Sequence, residues 1–183
     1  MEFKYSYKVI VAGDSGVGKT SIVNRCVYGQ FSQTLPLTIG ISNFQIIEKV
    51  DNCDVELRIW DTAGQERYSS LIPMFSKGAD ICILVASINS PASFQHLANW
   101  HKIIMNEVDV PTVLAINKID VAQDIENSEI KEILKSYQHK FFVSALNGEG
   151  ISELFSFTAQ LAKAGDQHEL VQTPPVNEKS GCC

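Results

Sequence analysis

The segment Gly13-Asp14-Ser15-Gly16-Val17-Gly18-Lys19-Thr20 fits the pattern G-x-x-x-x-G-K-[ST]. It follows an apolar, β-branched run, Val9-Ile10-Val11-Ala12, and opens a helical stretch, the setting in which this pattern cradles phosphate. Gly16 and Gly18 lack a Cβ, so the backbone can fold closely around a polyphosphate with its N–H groups inward, and the helix start adds partial positive charge. Ser15, Gly16, Val17, Gly18, Lys19, Thr20 and Ser21 are therefore the expected phosphate cradle. Within it Lys19 reaches the outer phosphates and the Thr20 hydroxyl is suited to Mg²⁺.

Two further segments carry complementary chemistry. Trp60-Asp61-Thr62-Ala63-Gly64-Gln65-Glu66 places an aspartate at the end of an apolar strand, where a P-loop protein puts a second magnesium contact. Gly64 can bring a backbone N–H against a terminal phosphate, and Gln65 is the candidate for aligning an attacking water. Asn117-Lys118-Ile119-Asp120 follows a buried apolar strand. A carboxylate accepts in pairs from guanine N1–H and its exocyclic amine, a donor pattern that adenine lacks, so Asp120 selects guanine. Asn117 braces the loop at the purine edge, and the Lys118 stem lies on the base plane. Ser144-Ala145-Leu146 offers backbone N–H groups to the guanine oxygen. Taken singly, D-x-x-G and N-K-x-D also fit ordinary polar turns.

The elements that would position these segments alternate, strand then helix, through most of the chain, which indicates an α/β fold with a mostly parallel sheet and helices on both faces. Lys8 to Ala12 is the first strand, with a helix from the P-loop to about Tyr28. Gly29 to Gly40 reads as a mobile loop. Phe44 to Val50 and Val55 to Trp60, joined by Asp51-Asn52-Cys53-Asp54, form a hairpin that supplies the one antiparallel edge strand. Ile81 to Ala86 is a strand buried on both faces. Ser90-Pro91 caps a helix carrying Phe94, Leu97, Trp100, Ile103 and Ile104 inward, so Trp100 is core. Val113 to Ile116 and Phe141 to Val143 complete six strands. A helix spans Ile125 to Tyr137, and the last begins after Gly150. Residues 1–165 are expected to form one domain and 166–183, with Thr173-Pro174-Pro175, a flexible tail.

Composition narrows the class of partner. A chain of 183 residues suits one domain with a full core. Fifteen Lys and Arg against 21 Asp and Glu give a net charge of −6, which argues against nucleic acid. The apolar runs are too short for a membrane span and no secretory signal opens the chain, so a cytosolic location is expected. Five cysteines show neither a disulfide framework nor zinc spacing. Cys26 and Cys82 read as small core residues, and His96, His101, His139 and His168 as surface residues rather than ligands.

Taken together, G-D-S-G-V-G-K-T, W-D-T-A-G-Q-E, N-K-I-D and S-A-L resemble, in order and spacing, the small GTPases of the Ras superfamily, and in detail the Rab family. The resemblance spans roughly residues 5 to 165. It implies a six-stranded G domain that binds GTP or GDP with Mg²⁺ and hydrolyses GTP. It makes Thr38 the switch I threonine that meets Mg²⁺ and the γ-phosphate, so that Thr20, Thr38 and Asp61 form the metal set, and it places Phe31 against the guanine. Phe44, Trp60 and Phe75 match the aromatic triad shown to effectors, and Tyr68 to Phe75 is similar to switch II of the endosomal Rabs. One departure stands out: Ile41-Ser42-Asn43-Phe44 is one residue longer than the usual glycine-to-phenylalanine segment and lacks its aspartate. Ser15, beside the γ-phosphate, implies slow intrinsic turnover.

The ending Cys182-Cys183 resembles the Rab double-prenylation signal. Two lipid chains, at roughly 0.8 kcal/mol per buried CH₂, would hold the protein on a bilayer without help from a basic cluster, which the tail lacks. The resemblance further implies an exchange factor, a GTPase-activating protein supplying an arginine finger, effectors, a prenylation escort and a GDP-dissociation inhibitor. The expected protein is a monomer that cycles between cytoplasm and the cytosolic face of an endomembrane, the endosome being one candidate. Two other readings stay open on residues alone: a nucleotide-dependent interaction module with negligible hydrolysis, separated by Gln65→Leu, and a P-loop kinase or ATPase, disfavoured by Asp120.

Overall fold

A computed structural model describes residues 5–32, 38, 40–64, 71–121 and 128–165. The elements run β1 (Tyr5–Ala12), α1 (Lys19–Tyr28), β2 (Ile41–Val50), β3 (Cys53–Thr62), α2 (Ile72–Ser76), β4 (Ile81–Ser87), α3 (Pro91–Met105), β5 (Thr112–Asn117), α4 (Ser128–Lys135), β6 (His139–Phe142) and α5 (Ile151–Gly165). They build a six-stranded sheet in the order β2-β3-β1-β4-β5-β6, with β2 antiparallel to β3 and every other pairing parallel. This is the α/β architecture expected of a P-loop G domain.

Alternation along the strands divides the interior into two cores. Val9, Val11, Leu57, Ile59, Ile83 and Val85 face α1 and α5, where they meet Ile22, Val23, Leu154 and Phe155. Ile10, Ala12, Cys82, Leu84, Leu114 and Ile116 face the opposite side and pack on Phe94, Leu97, Trp100 and Ile104 of α3. Strand β4 is buried along its whole length, as a central strand covered on both faces must be. Each fully buried aliphatic side chain there contributes about 1.5–3 kcal/mol through burial.

Several local details differ from the sequence expectation. The hairpin turn is only Asp51-Asn52, both at positive φ (51° and 63°), while Val50 pairs with Cys53. That is the two-residue turn whose twist suits a tight hairpin, so Cys53 and Asp54 belong to β3. Ser90 sits at the N-cap of α3 without a side-chain cap. Ser93 does the work of tying that corner: its Oγ donates to Ser90 O at 2.6 Å and accepts from Ser87 N at 3.0 Å. The short helix α2 was not anticipated. Helix α4 is described from Ser128, and the expected tail, 166–183, lies outside the described residues together with Cys182, Cys183 and His168.

Candidate functional site

All the motif-bearing segments emerge at the carboxyl ends of β1, β3, β5 and β6, the edge at which open α/β sheets hold ligands. They line one cavity of about 380 Å³. Its walls include Ser15, Gly16, Gly18, Lys19, Thr20 and Ser21, with Thr38 beside Thr20 and Gly64 beside Lys19, and on the other side Asn117, Lys118, Asp120, Ala145 and Leu146; Phe31 also lines it. Ser32 and Thr62, which sequence reasoning did not single out, line it too. Val17 is buried beneath the loop, and its carbonyl accepts from Asn117 Nδ2 at 2.8 Å. Gln65 lies outside the described residues.

The P-loop needs its glycines for reasons visible in the fold. Gly18 has φ 96°, and a Cβ there would collide with the Asn117 amide. A Cβ on Gly64 would meet Lys19 Nζ and the Asp14 backbone. Between these close approaches Lys19 is 5% exposed, and it donates to Gly13 O at 2.9 Å and Asp14 O at 2.7 Å, two of its three N–H donors. Burial lowers the Lys19 pKa to about 8, opposed by the charges of Asp61 and Asp14.

Three side-chain oxygens gather here: Thr20 and Thr38 line the cavity, and Asp61 is buried behind Thr20. Thr20 Oγ1 donates to Asp61 Oδ2 at 2.6 Å, and the Thr38 and Thr20 hydroxyls lie 2.9 Å apart. Because the single Thr20 hydroxyl hydrogen points at Asp61, the Thr38 hydroxyl is the donor to Thr20. Asp61 is fully buried, its Oδ1 has no partner, and burial raises its pKa to about 6 against the Thr20 hydrogen bond and the Lys19 charge. A buried carboxylate with an orphaned oxygen calls for a cation. Two hydroxyls and one carboxylate are hard oxygens, few in number, which suits Mg²⁺ better than a metal that demands a full protein cage. Among the described residues no group of three His, Cys, Asp or Glu converges as an alternative metal centre.

The opposite end is cross-tied. Asn117 Oδ1 accepts from Ala145 N at 3.1 Å, Lys118 Nζ donates to Gly16 O at 2.8 Å, and Ser144 Oγ donates to Asp120 Oδ1. Lys118 itself stands at φ 68°, a conformation uncommon outside glycine, which brings its side chain back over the P-loop. Ser144 is fully buried, and its own N–H is taken by Glu149 O, so it acts through Asp120 rather than by offering a backbone donor. Two positions missed from sequence stand out. Asp14, a free position in the P-loop pattern, receives Trp100 Nε1 and His96 Nδ1, each at 2.7 Å. Arg25 holds the loop at Ala145 and Leu146.

The aromatic surface departs from expectation. Trp60 and Phe75 do meet, with ring centroids 5.9 Å apart, and Lys8 Nζ lies 4.3 Å from the Trp60 ring. Phe44 does not join them. Across the β2–β3 pair Asn43 is opposite Trp60 and Phe44 is opposite Ile59, so Phe44 points to the other face of the sheet, against the α1/α5 core and edge-on to Tyr28. Adjacent residues of a strand point to opposite faces, so with Asn43 opposite Trp60 the aromatic one position further on is turned away from it.

Fold and loop arrangement together define a P-loop α/β domain of the small-GTPase type. The sequence profile of the Ras family matches residues 8–164. Over nearly their full lengths, the chain is 34% identical to Ras-related protein Rab-7a of Paramecium octaurelia (98% of this chain, 98% of the relative). It is 35% identical to Ras-related protein Rab7 of Glycine max (96% and 95%) and 35% identical to Ras-related protein Rab-9A of Homo sapiens (97% and 96%). The chain therefore belongs to the Ras family, among its Rab small GTPases.

Proposed function

We propose that this GTPase binds GTP and GDP with Mg²⁺ in the described cavity and uses the presence of the γ-phosphate to control partner binding at an endosomal membrane. The observation that carries the reading is the single cavity with an oxygen cluster and a buried lysine at one end and the Asn117-Lys118-Asp120 group at the other. Thr20, Thr38 and Asp61 would hold the cation, which when bound neutralises charge on the phosphates. The P-loop amides and Lys19 bind and orient the triphosphate, supplying positioning and electrostatic stabilisation. Asp120 accepts from the guanine edge, while Lys118 and Phe31 flank the base.

Gln65 aligns the attacking water, and an arginine from an activating partner raises the rate by about 10³–10⁵-fold. On loss of the γ-phosphate, Thr38 and Gly64 lose a contact, so the segments bearing them relax and the surface around Trp60 and Phe75 changes. The similarity to proteins named Rab7 and Rab9A supports the endosomal setting. Attachment is assigned to lipid on Cys182 and Cys183, from the resemblance of that ending to a double-prenylation signal; among the described residues no helix is long and apolar enough to cross a membrane.

The test is to identify the nucleotide that co-purifies with the protein and to follow its turnover in the Gln65→Leu variant. Guanine nucleotide in the wild type, with binding kept and partner-stimulated hydrolysis lost in the variant, supports the proposal. Adenine nucleotide, or an unchanged rate, contradicts it.

A further inference from the structure

The guanidinium of Arg25, on the last turns of α1, makes three hydrogen bonds, all to backbone carbonyls. Nε donates to Ala145 O at 2.8 Å, Nη1 to Gly29 O at 2.8 Å, and Nη2 to Leu146 O. The acceptors belong to two segments far apart in the chain. Ala145 and Leu146 line the base end of the cavity, and Gly29 closes α1 two residues before Phe31, which lines it as well. Gly29 is in the left-handed region (φ 66°) and returns its own N–H to Arg25 O at 3.0 Å, so residue 25 holds that end of the helix from both its side chain and its backbone.

A planar, permanently charged fork can satisfy three carbonyls at once only in one arrangement of both segments. It also sets the direction of a donor. In a trans peptide the C=O and the following N–H point opposite ways, so drawing the Ala145 carbonyl onto Arg25 turns the Leu146 N–H away from it. The charge on the carbonyl side polarises that same peptide, which strengthens its N–H as a donor.

We infer that Arg25 is a positioning residue for base recognition: it orients the Ala145–Leu146 peptide toward the purine O6 and latches that loop to the Gly29–Phe31 segment, slowing nucleotide release. This rests on the guanine reading of the cavity proposed above. Arg25 does not line the cavity and acts on it through the Ala145–Leu146 peptide, so its effect should depend on whether the base carries O6.

The experiment uses the full chain and its Arg25→Gln and Arg25→Lys variants with three Mg²⁺-nucleoside diphosphates. GDP and inosine diphosphate carry O6, whereas 2-aminopurine riboside diphosphate keeps the exocyclic amine but lacks O6 and the N1–H, so each nucleotide is compared with its own wild-type affinity. Arg25→Gln should weaken GDP and inosine diphosphate together by about tenfold, the scale of one charge-assisted hydrogen bond, and speed their release, while 2-aminopurine riboside diphosphate, which loses only the latch to the Gly29–Phe31 segment, is weakened clearly less. Arg25→Lys, which keeps the charge but not the fork, should fall between, and it decides the matter where Arg25→Gln fails to fold. Equal weakening of all three nucleotides means that Arg25 supports only the fold, and overturns the inference; so does no weakening at all. Failure of the wild type to bind GDP is a different result, which removes the guanine reading itself.

Discussion

The indole N–H of Trp100 donates to the carboxylate of Asp14 at 2.7 Å, joining the core of α3 to the P-loop. Trp100 is 5% exposed and fills the α3 core, as its helical spacing requires, but its polar edge reaches a loop 86 positions away. His96, one turn earlier, bonds the other Asp14 oxygen at 2.7 Å. The backbone of Asp14 in turn accepts from Lys19. Helix α3 thus holds the phosphate loop by two side chains on one carboxylate.

Trp100→Phe keeps most of the packing and removes the donor, so it should cost about 1.5–3 kcal/mol in urea unfolding. In the Asp14→Ala background, which removes the acceptor, the same substitution should cost clearly less, because the two residues share one interaction. Additive losses would show that the hydrogen bond contributes nothing beyond packing.

The register of the hairpin gives a second test. Trp60 faces Asn43, while Phe44 lies on the other side of the sheet. In a Trp100→Phe background, where Trp60 is the remaining tryptophan, Asn43→Phe should shift or quench its emission and Phe44→Leu should leave it unchanged. Phe44→Ala should instead destabilise the fold by about 2 kcal/mol, as loss of a half-buried aromatic. Emission that follows position 44 would contradict the register.

The strands and the phosphate loop were legible because their signals are local. The β4 run Ile81 to Ala86 has the length and unbroken apolar character of a doubly covered strand, and the Gly16, Gly18, Lys19, Thr20 pattern carries its geometry within a few residues. What was not legible depends on contacts between distant segments. Phe44 was readable as an aromatic, but its face is set by its pairing opposite Ile59 of β3, and alternation alone does not say which face is which. Arg25 reads as an ordinary polar helix residue until β6 brings Ala145, 120 positions away, against it. Ser90 has the right side chain for a cap, yet Ser93 takes over its corner.

Asp61 links the site to stability. Its folded pKa, about 6, lies above the usual 3.8, so the stability tied to its protonated form is full below about pH 4 and is lost as pH rises through about 6. In nucleotide-free protein at pH 7, Asp61→Asn should therefore be more stable by up to about 3 kcal/mol, with the gap closing toward pH 4. The same variant should bind Mg²⁺-nucleotide more weakly. Denaturant unfolding across this pH range checks both the size and the sign, and a variant less stable at pH 7 would contradict the account.

The cysteines give a simpler check. Burial pushes the thiols of Cys26 and Cys82 up to about 12, and Cys82 is fully enclosed. At pH 8 almost none of either is thiolate, so thiol reagents should leave both unlabelled in the native protein and modify them only after unfolding. Peptide mapping after brief labelling reads this directly, and rapid native modification of Cys82 would contradict its placement.

The central claim is that the cavity reads a guanine base through Asp120, and the most direct measurement is the affinity for GDP, ADP and xanthosine diphosphate in wild type and Asp120→Asn. The account predicts strong preference for GDP in the wild type. In the variant, GDP affinity should fall by at least about a hundredfold while xanthosine diphosphate gains, because the amide can donate where the carboxylate accepted. Equal affinity for ADP and GDP in the wild type, or an unaltered preference in the variant, would contradict it.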